Sequence, residues 1–593
     1  MKPKIFLPFL LSLYILNSTL YIDAQATVRY VSPTGSSTPP YTTWETAADS
    51  IMECINISVF GDTIYVANGT YKEQVVMIPG LSLIGAGMDS CVIDTRELVQ
   101  PSDFFSIRMV DTCFVKGFQI IVAPDDYNHG TGFLHMGLSG KFEENQVING
   151  AIGALVLNSN IIVSQNIFKT NLLTSIEILG YGTQYIPIIE NNNIYTSAYA
   201  ILINFGTKPT IRNNIIYLDG NFAFGYRGGG SDTARIYSNL IISKNSVDGF
   251  LNTGVPHLTY NNFAFGKIDN AIVFTGDNSY LIQLVNNSIM NADKGIVSEG
   301  GQGITAHFNN AWNTVVNYSG FTPDSTNLSV DPMIVNDDST KGDLDFHLQM
   351  FSPLIDAGDP NIIDVDGTRS DIGLYGGPYG EQYHYLDLAP RTPINLNATL
   401  DSLTVGLTWN KNTEADFRDY NIYRDTTKDF MIDSTKLLLS QNDTTFTDII
   451  PDYVPKIYYK ITAVDNQGNE SEPSEEVGFI LTSINDNQMT INDYRLYQNY
   501  PNPFNPLTKI SYRLKERGYV KLYVYDIKGE LVSVLVNQTQ DAGFYEVDFV
   551  GNGLPTVPNN SDLSSGIYIY QIMVRNENNI PVFSDMKKMI YLK

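Results

Sequence analysis

The sequence predicts an all-β protein: a parallel β-helix followed by two small β-sandwich domains. Three observations lead there. Asparagines recur at Asn145, Asn166, Asn193, Asn214, Asn239, Asn262, Asn287 and Asn310, in steps of 21, 27, 21, 25, 23, 25 and 23 residues. Almost every one is followed within two residues by a large apolar side chain. A second rank of residues, most of them small and followed by Ile or Phe, keeps step with the first: Gly153, Ser175, Ala200, Ala223, Gly249, Ala271 and Gly295. From about Leu388 the period vanishes, and alternating apolar and polar strands replace it.

Two ranks in phase mean one structural unit repeated. Runs such as Ile161-Ile-Val, Ala200-Ile-Leu-Ile and Ala271-Ile-Val-Phe read as strands of three to five residues. Short strands joined by tight turns at this period fit coils that stack, so that like positions superpose and asparagine side chains bond along the stack at the corners. A sandwich with turn signals every 8–12 residues would not hold asparagine in phase over so many repeats. If the period holds from residue 61 to 350, there are about twelve coils, roughly 60 Å at about 4.8 Å per coil.

The chain has 593 residues, too many for one compact core. Its 37 basic and 63 acidic residues give a net charge of -26, which excludes the basic footprint needed for nucleic acid or an anionic membrane. Aromatic content of 12%, with 37 Tyr, suits β structure. Residues 1–26 read as a signal peptide: Lys2 and Lys4, an apolar run over 5–16, and small residues at Ala24-Gln-Ala26. No later stretch is apolar enough to span a bilayer, so the mature protein is expected to be secreted or held at the outer cell surface, without a transmembrane segment. Cys54, Cys91 and Cys113 lack the spacing of a disulfide framework or zinc site and read as small apolar residues inside the first coils.

In chain order, residues 27–380 form the solenoid. Thr42-Thr-Trp-Glu45 has the pattern of a capping box, and Ala47, Ala48, Ile51, Cys54 and Ile55 follow at helical spacing. This helix is expected to plug the first coil, whose edge would otherwise be unpaired. Residues 61–71, Leu81-Ser-Leu-Ile-Gly-Ala-Gly87, Val92-Ile-Asp and Val115-Lys-Gly-Phe-Gln-Ile120 supply early strands. With the asparagine rank behind them, these stretches resemble secreted right-handed parallel β-helix proteins of the pectin-lyase-like superfamily. The resemblance covers about 27–380 and implies the fold; the superfamily includes lyases, glycosidases and proteins with no known chemistry. Asp331-Pro-Met-Ile, Ser352-Pro-Leu-Ile-Asp-Ala-Gly-Asp359 and Asp364-Val-Asp-Gly-Thr-Arg-Ser-Asp-Ile-Gly-Leu-Tyr-Gly-Gly377 are dense in turn residues and read as the C-terminal cap.

Residues 389–481 carry Thr404-Val-Gly-Leu-Thr-Trp409, Tyr420-Asn-Ile-Tyr423 and Ile457-Tyr-Tyr-Lys-Ile-Thr-Ala-Val464, which resemble strands B, C and F of a fibronectin type III sandwich. Trp409 is the expected core anchor, alternation puts Ile457, Tyr459, Ile461 and Ala463 on one face, and Ile457 stands at the tyrosine-corner position. The module reads as a spacer. A polar linker over 482–493 follows. Residues 494–593 contain Tyr500-Pro-Asn-Pro-Phe-Asn-Pro506, Val520-Lys-Leu-Tyr-Val-Tyr-Asp-Ile-Lys-Gly529, Gly543-Phe-Tyr-Glu-Val547 and Leu563-Ser-Ser-Gly-Ile-Tyr-Ile-Tyr570, and end on a basic strand. These landmarks resemble the Ig-like C-terminal sorting domain of the type IX secretion system, which implies that machinery as a partner. Within it, Val520, Leu522 and Val524 alternate inward, and 526–529 forms a hairpin turn.

No complete catalytic set is visible. Lyases of the fold need an acidic calcium site with a basic residue beside it. Glycosidases need paired carboxylates on adjacent coils. Asp219, Asp269 and Asp293 fall five, seven and six residues after their asparagines, as turn acids would. Glu190 and Arg212 fall where they could pair across one coil, as an exposed ion pair. Asp125 and Asp126, near His129 and His135, could line a groove. The Gly-His-Gly and Asn-Thr-Asp motifs of polygalacturonases and the Arg-x-Pro-x-x-Arg pattern of lyases are absent. Asp364, Asp366 and Asp371 could wrap calcium, or simply form an Asx-turn cap. The expectation is therefore an exported β-helix binding a polysaccharide or other surface ligand, with a polysaccharide lyase or glycoside hydrolase as the alternative and a structural surface protein as a third reading.

Overall fold

The computed structural model describes residues 26–98, 104–122, 130–181, 184–196, 198–204, 206–220, 222–227, 233–244, 251–253, 257–274, 282–299, 304–401, 404–450, 456–480, 493–551 and 563–593. The signal-peptide stretch, Asp125, Asp126, His129, Gly249 and nearly all of the 482–493 linker lie outside them. From Val28–Val31 to Val316–Ser319, the chain winds through three parallel sheets of twelve, eleven and eleven strands. Each coil contributes one strand to each sheet in turn, and each strand pairs with its counterparts one coil before and after. The parallel coil strands stop at Ser319, and the next two, Ile334–Asn336 and Asp345–Leu348, pair antiparallel, so the period does not run on to residue 350 as the sequence suggests. Inside, aliphatic and aromatic side chains such as Phe133, Phe142, Phe168, Ile189, Ile194, Ile216 and Phe224 form one core with no exposure. Among the described residues, no helix is long and apolar enough to cross a membrane.

The corner from first to second sheet explains the asparagines. Glu143 ends one strand and Gln146 begins the next, and the same two-residue turn recurs down to Asn310. Its first residue takes a left-handed backbone: Glu144, Gln165, Asn191, Asn213, Ser238, Asn261, Asn286 and Phe308 all have φ between 50° and 58°. The second residue is the buried asparagine. Asn214 shows the pattern: its Nδ2 donates to Ile189 O (2.9 Å) and to Asn239 Oδ1 (2.9 Å), while its own Oδ1 accepts the N–H and Nδ2 of Asn192 (3.0 and 2.9 Å). The ladder members are thus Asn192 and Asn309, where the sequence reading chose Asn193 and Asn310, and the steps become 21, 26, 22, 25, 23, 25 and 22. Asn193 and Asn310 begin the following strands instead. Asn327 ends the stack, accepting from Asn309 and donating to Ala306 O.

At the N-terminal end, helix α1 (Ile51–Asn56) buries Ile51, Cys54 and Ile55. It does not start at Thr42-Glu45: Ser50 is the N-cap, and Glu73, from the chain beyond, accepts from the N–H groups of Ile51 and Met52 (2.8 and 2.9 Å). Ser50 Oγ also accepts the Glu53 amide (3.3 Å), so the local cap is Ser50-Ile-Met-Glu53, and Thr43 bonds to Thr46 in a turn of its own. Cys54 lies in this helix, and Cys91 and Cys113 in early strands; all three are free and buried. Burial pushes the Cys54 thiol up to about 12 and the Cys91 thiol up to about 11.

Residues 331–386 go beyond closing the last coil, the role the sequence suggests for them. They turn back along the second sheet. Ile334, Phe346, Leu348, Leu354 and Ile372 pack on the outward side chains Leu240, Ile242, Phe263 and Met290. The left-handed corner asparagines hold the segment from outside: Asn213 Nδ2 donates to Tyr379 O (2.8 Å), and Asn261 Nδ2 to Asp371 O (2.9 Å).

Two antiparallel regions follow. In the first, a three-stranded sheet (Asn397–Asp401, Thr404–Thr408, Thr445–Ile449) accompanies a four-stranded one. Trp409 is buried edge-on against Tyr420, with ring centroids 5.3 Å apart. Ile457, Tyr459, Ile461 and Ala463 are buried as alternation requires, and the Tyr459 hydroxyl donates to Asp448 (2.6 Å). In the second, sheets of three and four strands share a core of Ile510, Tyr512, Val520, Leu522, Val524, Tyr570 and Tyr591. Asp526 closes its hairpin by accepting from the Lys528 and Glu530 amides, with Gly529 at φ 83°.

Candidate functional site

The connections around a coil are of two kinds. The asparagine corner is always two residues long. Connections bordering the third sheet vary: ten residues separate Cys91–Asp94 from Phe105–Met109, whereas two separate Ile167–Asn171 from Thr174–Leu179. On the far side, eight separate Thr174–Leu179 from Ile188–Glu190, but three separate Thr131–Met136 from Gly140–Glu143. The outer face of the third sheet is therefore a wall bordered by connections of changing length, the arrangement on which binding sites are usually built.

On that wall, Leu155, Glu177 and Leu202 stand in register on successive coils. Asn204 Nδ2 donates to Glu177 Oε1 (2.5 Å), while the buried Asn204 Oδ1 has no partner. Beside them Tyr199 stacks on Phe222, with centroids 5.3 Å apart and planes at 17°. Gly225 makes room for this: a Cβ there would stand 2.6 Å from the Tyr199 ring. A charged acceptor, an amide and a stacked aromatic pair on one flat face can hydrogen-bond hydroxyls and stack against an apolar ring face. Sequence reading missed this set because Glu177 sits between Ile176 and Ile178 and resembles an isolated charge in a core strand.

The residues singled out from sequence are dispersed. Glu190 and Arg212 pair across one coil as expected, with Arg212 Nη2 2.6 Å from Glu190 Oε2, and the guanidinium also lies 4.5 Å from the Tyr379 ring centroid. Asp269 and Asp293 come to the same corner on successive coils, while Asp219 is exposed two coils earlier. His135 does not line a groove. It points into the core, its Nδ1 2.7 Å from Ser159 Oγ, and burial lowers its pKa. Asp364 accepts the amides of Asp371 and Gly377, Asp366 those of its own turn at Thr368, and Asp371 the Asp356 amide (2.8 Å) and the Tyr385 hydroxyl (3.0 Å). Burial pushes the Asp371 carboxyl up to about 6, and raises Asp364 too, whereas backbone and side-chain bonds from Thr368 lower Asp366.

A second group of carboxylates converges elsewhere. Asp387, Asp416 and Asp465 bring one oxygen each within 4.8 Å of the others. No sequence motif announces them, because they come from three distant parts of the chain.

No family model matches the chain, and no curated protein matches it. Among solved structures, a rhamnogalacturonan lyase is similar over 55% of this chain and 97% of its own, at 15% identity and a TM-score of 0.32. The catalytic unit of a thermostable GH87 α-1,3-glucanase from Streptomyces thermodiastaticus strain HF3-3 is similar over 52% of this chain and 68% of its own, at 14% identity and 0.32. An Fn3-like protein from Clostridium thermocellum matches 15% of this chain and 91% of its own, at 32% identity and 0.13. The first two neighbours act on polysaccharides; that activity is theirs, and the fold of this chain stands on the three sheets described above.

Proposed function

We propose that this protein is exported to the cell surface or beyond and binds a polysaccharide along the outer face of its third sheet. The observation that carries the reading is that, from Thr63–Val66 onward, every connection of six or more residues within the coils borders this sheet, so its face is the one free to vary in shape while the rest repeats. Glu177, Asn204 and the Tyr199–Phe222 stack supply the matching chemistry. Glu177 is the sole acid on the strands of this sheet, and one carboxylate orients hydroxyls where a glycosidase would use two about 5–10 Å apart. The basic and apolar start of the chain supports export, and the landmarks of residues 494–593 support delivery by type IX secretion.

Passage of the purified protein over immobilised neutral and acidic polysaccharides tests the binding. Retention without new reducing ends or ultraviolet-absorbing unsaturated products is expected. Product formation would replace the reading with a hydrolase or lyase, and neither retention nor product would leave a structural surface protein. For the export route, removal of 494–593 in a type IX-competent host should trap the chain before the outer membrane; unchanged surface delivery would refute it.

A further inference from the structure

The wall of the third sheet carries one more charged group, and the fold supplies no counter-charge for it. Arg108 lies in the strand Phe105–Met109 with Ile107 and Met109 buried on either side, so its side chain belongs to the outer face. It heads a row in register across the next three coils: Leu134, Leu155 and then Glu177. The guanidinium lies over the Phe105 ring, 5.9 Å from its centroid, and Nε is buried without a hydrogen-bond partner. Among the described residues no carboxylate pairs with it. With 63 acidic to 37 basic residues, the chain does not lack acids that could have done so. A buried donor left over on a fixed guanidinium is costly unless an oxyanion from outside the chain meets it.

We propose that Arg108 binds the anionic group of an acidic sugar residue, a carboxylate or a sulfate ester, and that the polysaccharide of this wall has acidic residues set apart by neutral ones. The inference rests on the wall being the polysaccharide face. A guanidinium fork accepts either oxyanion through paired N–H groups. Three strand spacings farther on, roughly 14 Å, Glu177 presents the opposite charge to the same ligand. An acidic sugar there would meet a like charge, so the residue over Glu177 is neutral and offers hydroxyls instead. Leu134 and Leu155, between the two charges, suit the apolar faces of the intervening rings. A polymer acidic throughout would satisfy Arg108 but be repelled at Glu177, and a neutral one would leave the guanidinium unmatched.

Retention of the purified full-length protein on immobilised hyaluronan, kappa-carrageenan, polygalacturonate and dextran tests this. The first two alternate an acidic with a neutral residue, through carboxylate and sulfate respectively; the third is acidic throughout and the fourth neutral. The wild type should be held best by one of the first two, which identifies the oxyanion, and less firmly as salt is raised. Arg108→Gln should weaken that retention about tenfold and make the remainder less sensitive to salt, with the melting temperature unmoved. Arg108→Lys keeps the charge without the fork and should recover only part of the loss. Glu177→Gln should strengthen retention on polygalacturonate. Best retention on dextran, or retention on the alternating polymers indifferent to Arg108→Gln, overturns the proposal while polysaccharide binding itself stands. Best retention on polygalacturonate, unimproved by Glu177→Gln, overturns it too. No retention on any of the four overturns both this proposal and the binding reading beneath it.

Discussion

The asparagine corner and the borders of the third sheet belong to the same coils yet obey opposite rules. At the corner, each amide must meet a donor and an acceptor on the coils above and below, so one inserted residue would break bonds to both neighbours. The turn therefore keeps two residues throughout. At the borders of the third sheet no such ladder runs from coil to coil, and connections grow to eight or ten residues without disturbing the parallel register. Stacking is confined to one corner, and variation to the wall farthest from that constraint.

Breaking the corner should have the largest effect. Asn214→Ala removes the acceptor of the Asn192 N–H and Nδ2 and the donor to the Ile189 carbonyl and Asn239 Oδ1 inside the core. At about 1–3 kcal/mol for each buried group left unsatisfied, a loss of roughly 3–5 kcal/mol is expected. Calorimetry on the β-helix transition reads it; a change below about 1 kcal/mol would mean that the ladder only accompanies stacking.

The segment along the second sheet should respond next, and through pH. Asp371 titrates at about 6 when folded because burial disfavours its charge, against about 3.9 in the unfolded chain. Between about pH 4 and 6 the folded state keeps a proton that the unfolded chain releases, so stability falls as pH rises through that window and levels off above it. Asp371→Asn carries no such charge, and its stability relative to wild type should rise by about 2 kcal/mol between pH 4 and pH 7. Paired melting curves at the two pH values check the difference; a parallel pair would assign the burial cost elsewhere.

On the variable wall, function should suffer without the fold. Glu177→Gln keeps an acceptor for Asn204 but loses the charge. Retention on the bound polysaccharide should weaken about tenfold, roughly 1.4 kcal/mol, with the melting temperature unmoved. A lowered melting temperature with unchanged retention would make Glu177 part of the scaffold and erase the contrast between corner and wall.

Much of this was legible, for physical reasons. The coil period could be read because an asparagine inside an apolar repeat has few uses besides bonding along a stack. Its phase was misread at two coils, where Asn191-Asn192-Asn193 and Asn309-Asn310 offer several asparagines and only the left-handed turn residue decides which one faces in. The start of α1 was misplaced because Thr42-Thr-Trp-Glu45 and Ser50-Ile-Met-Glu53 both have the capping pattern, and only the second caps a helix. The wall stayed hidden because Leu155 and Leu202 look like core residues, although they stand on the outward side. Asp387, Asp416 and Asp465 share no spacing at all, and only the folded chain brings them together.

The smallest effect separates position from burial. Glu190 is two residues from the ladder member Asn192 and pairs with Arg212, itself two residues from Asn214. Both side chains remain in part open to solvent, at 19% and 28% exposure, so the pair is screened and its loss returns each group to water. Arg212 also keeps the Tyr379 ring. Glu190→Gln should therefore cost less than about 1 kcal/mol, and the difference should shrink further in high salt. If it instead approached the loss at Asn214, saturation of buried groups could not be what makes the corner invariant, and proximity to the turn alone would have to explain it.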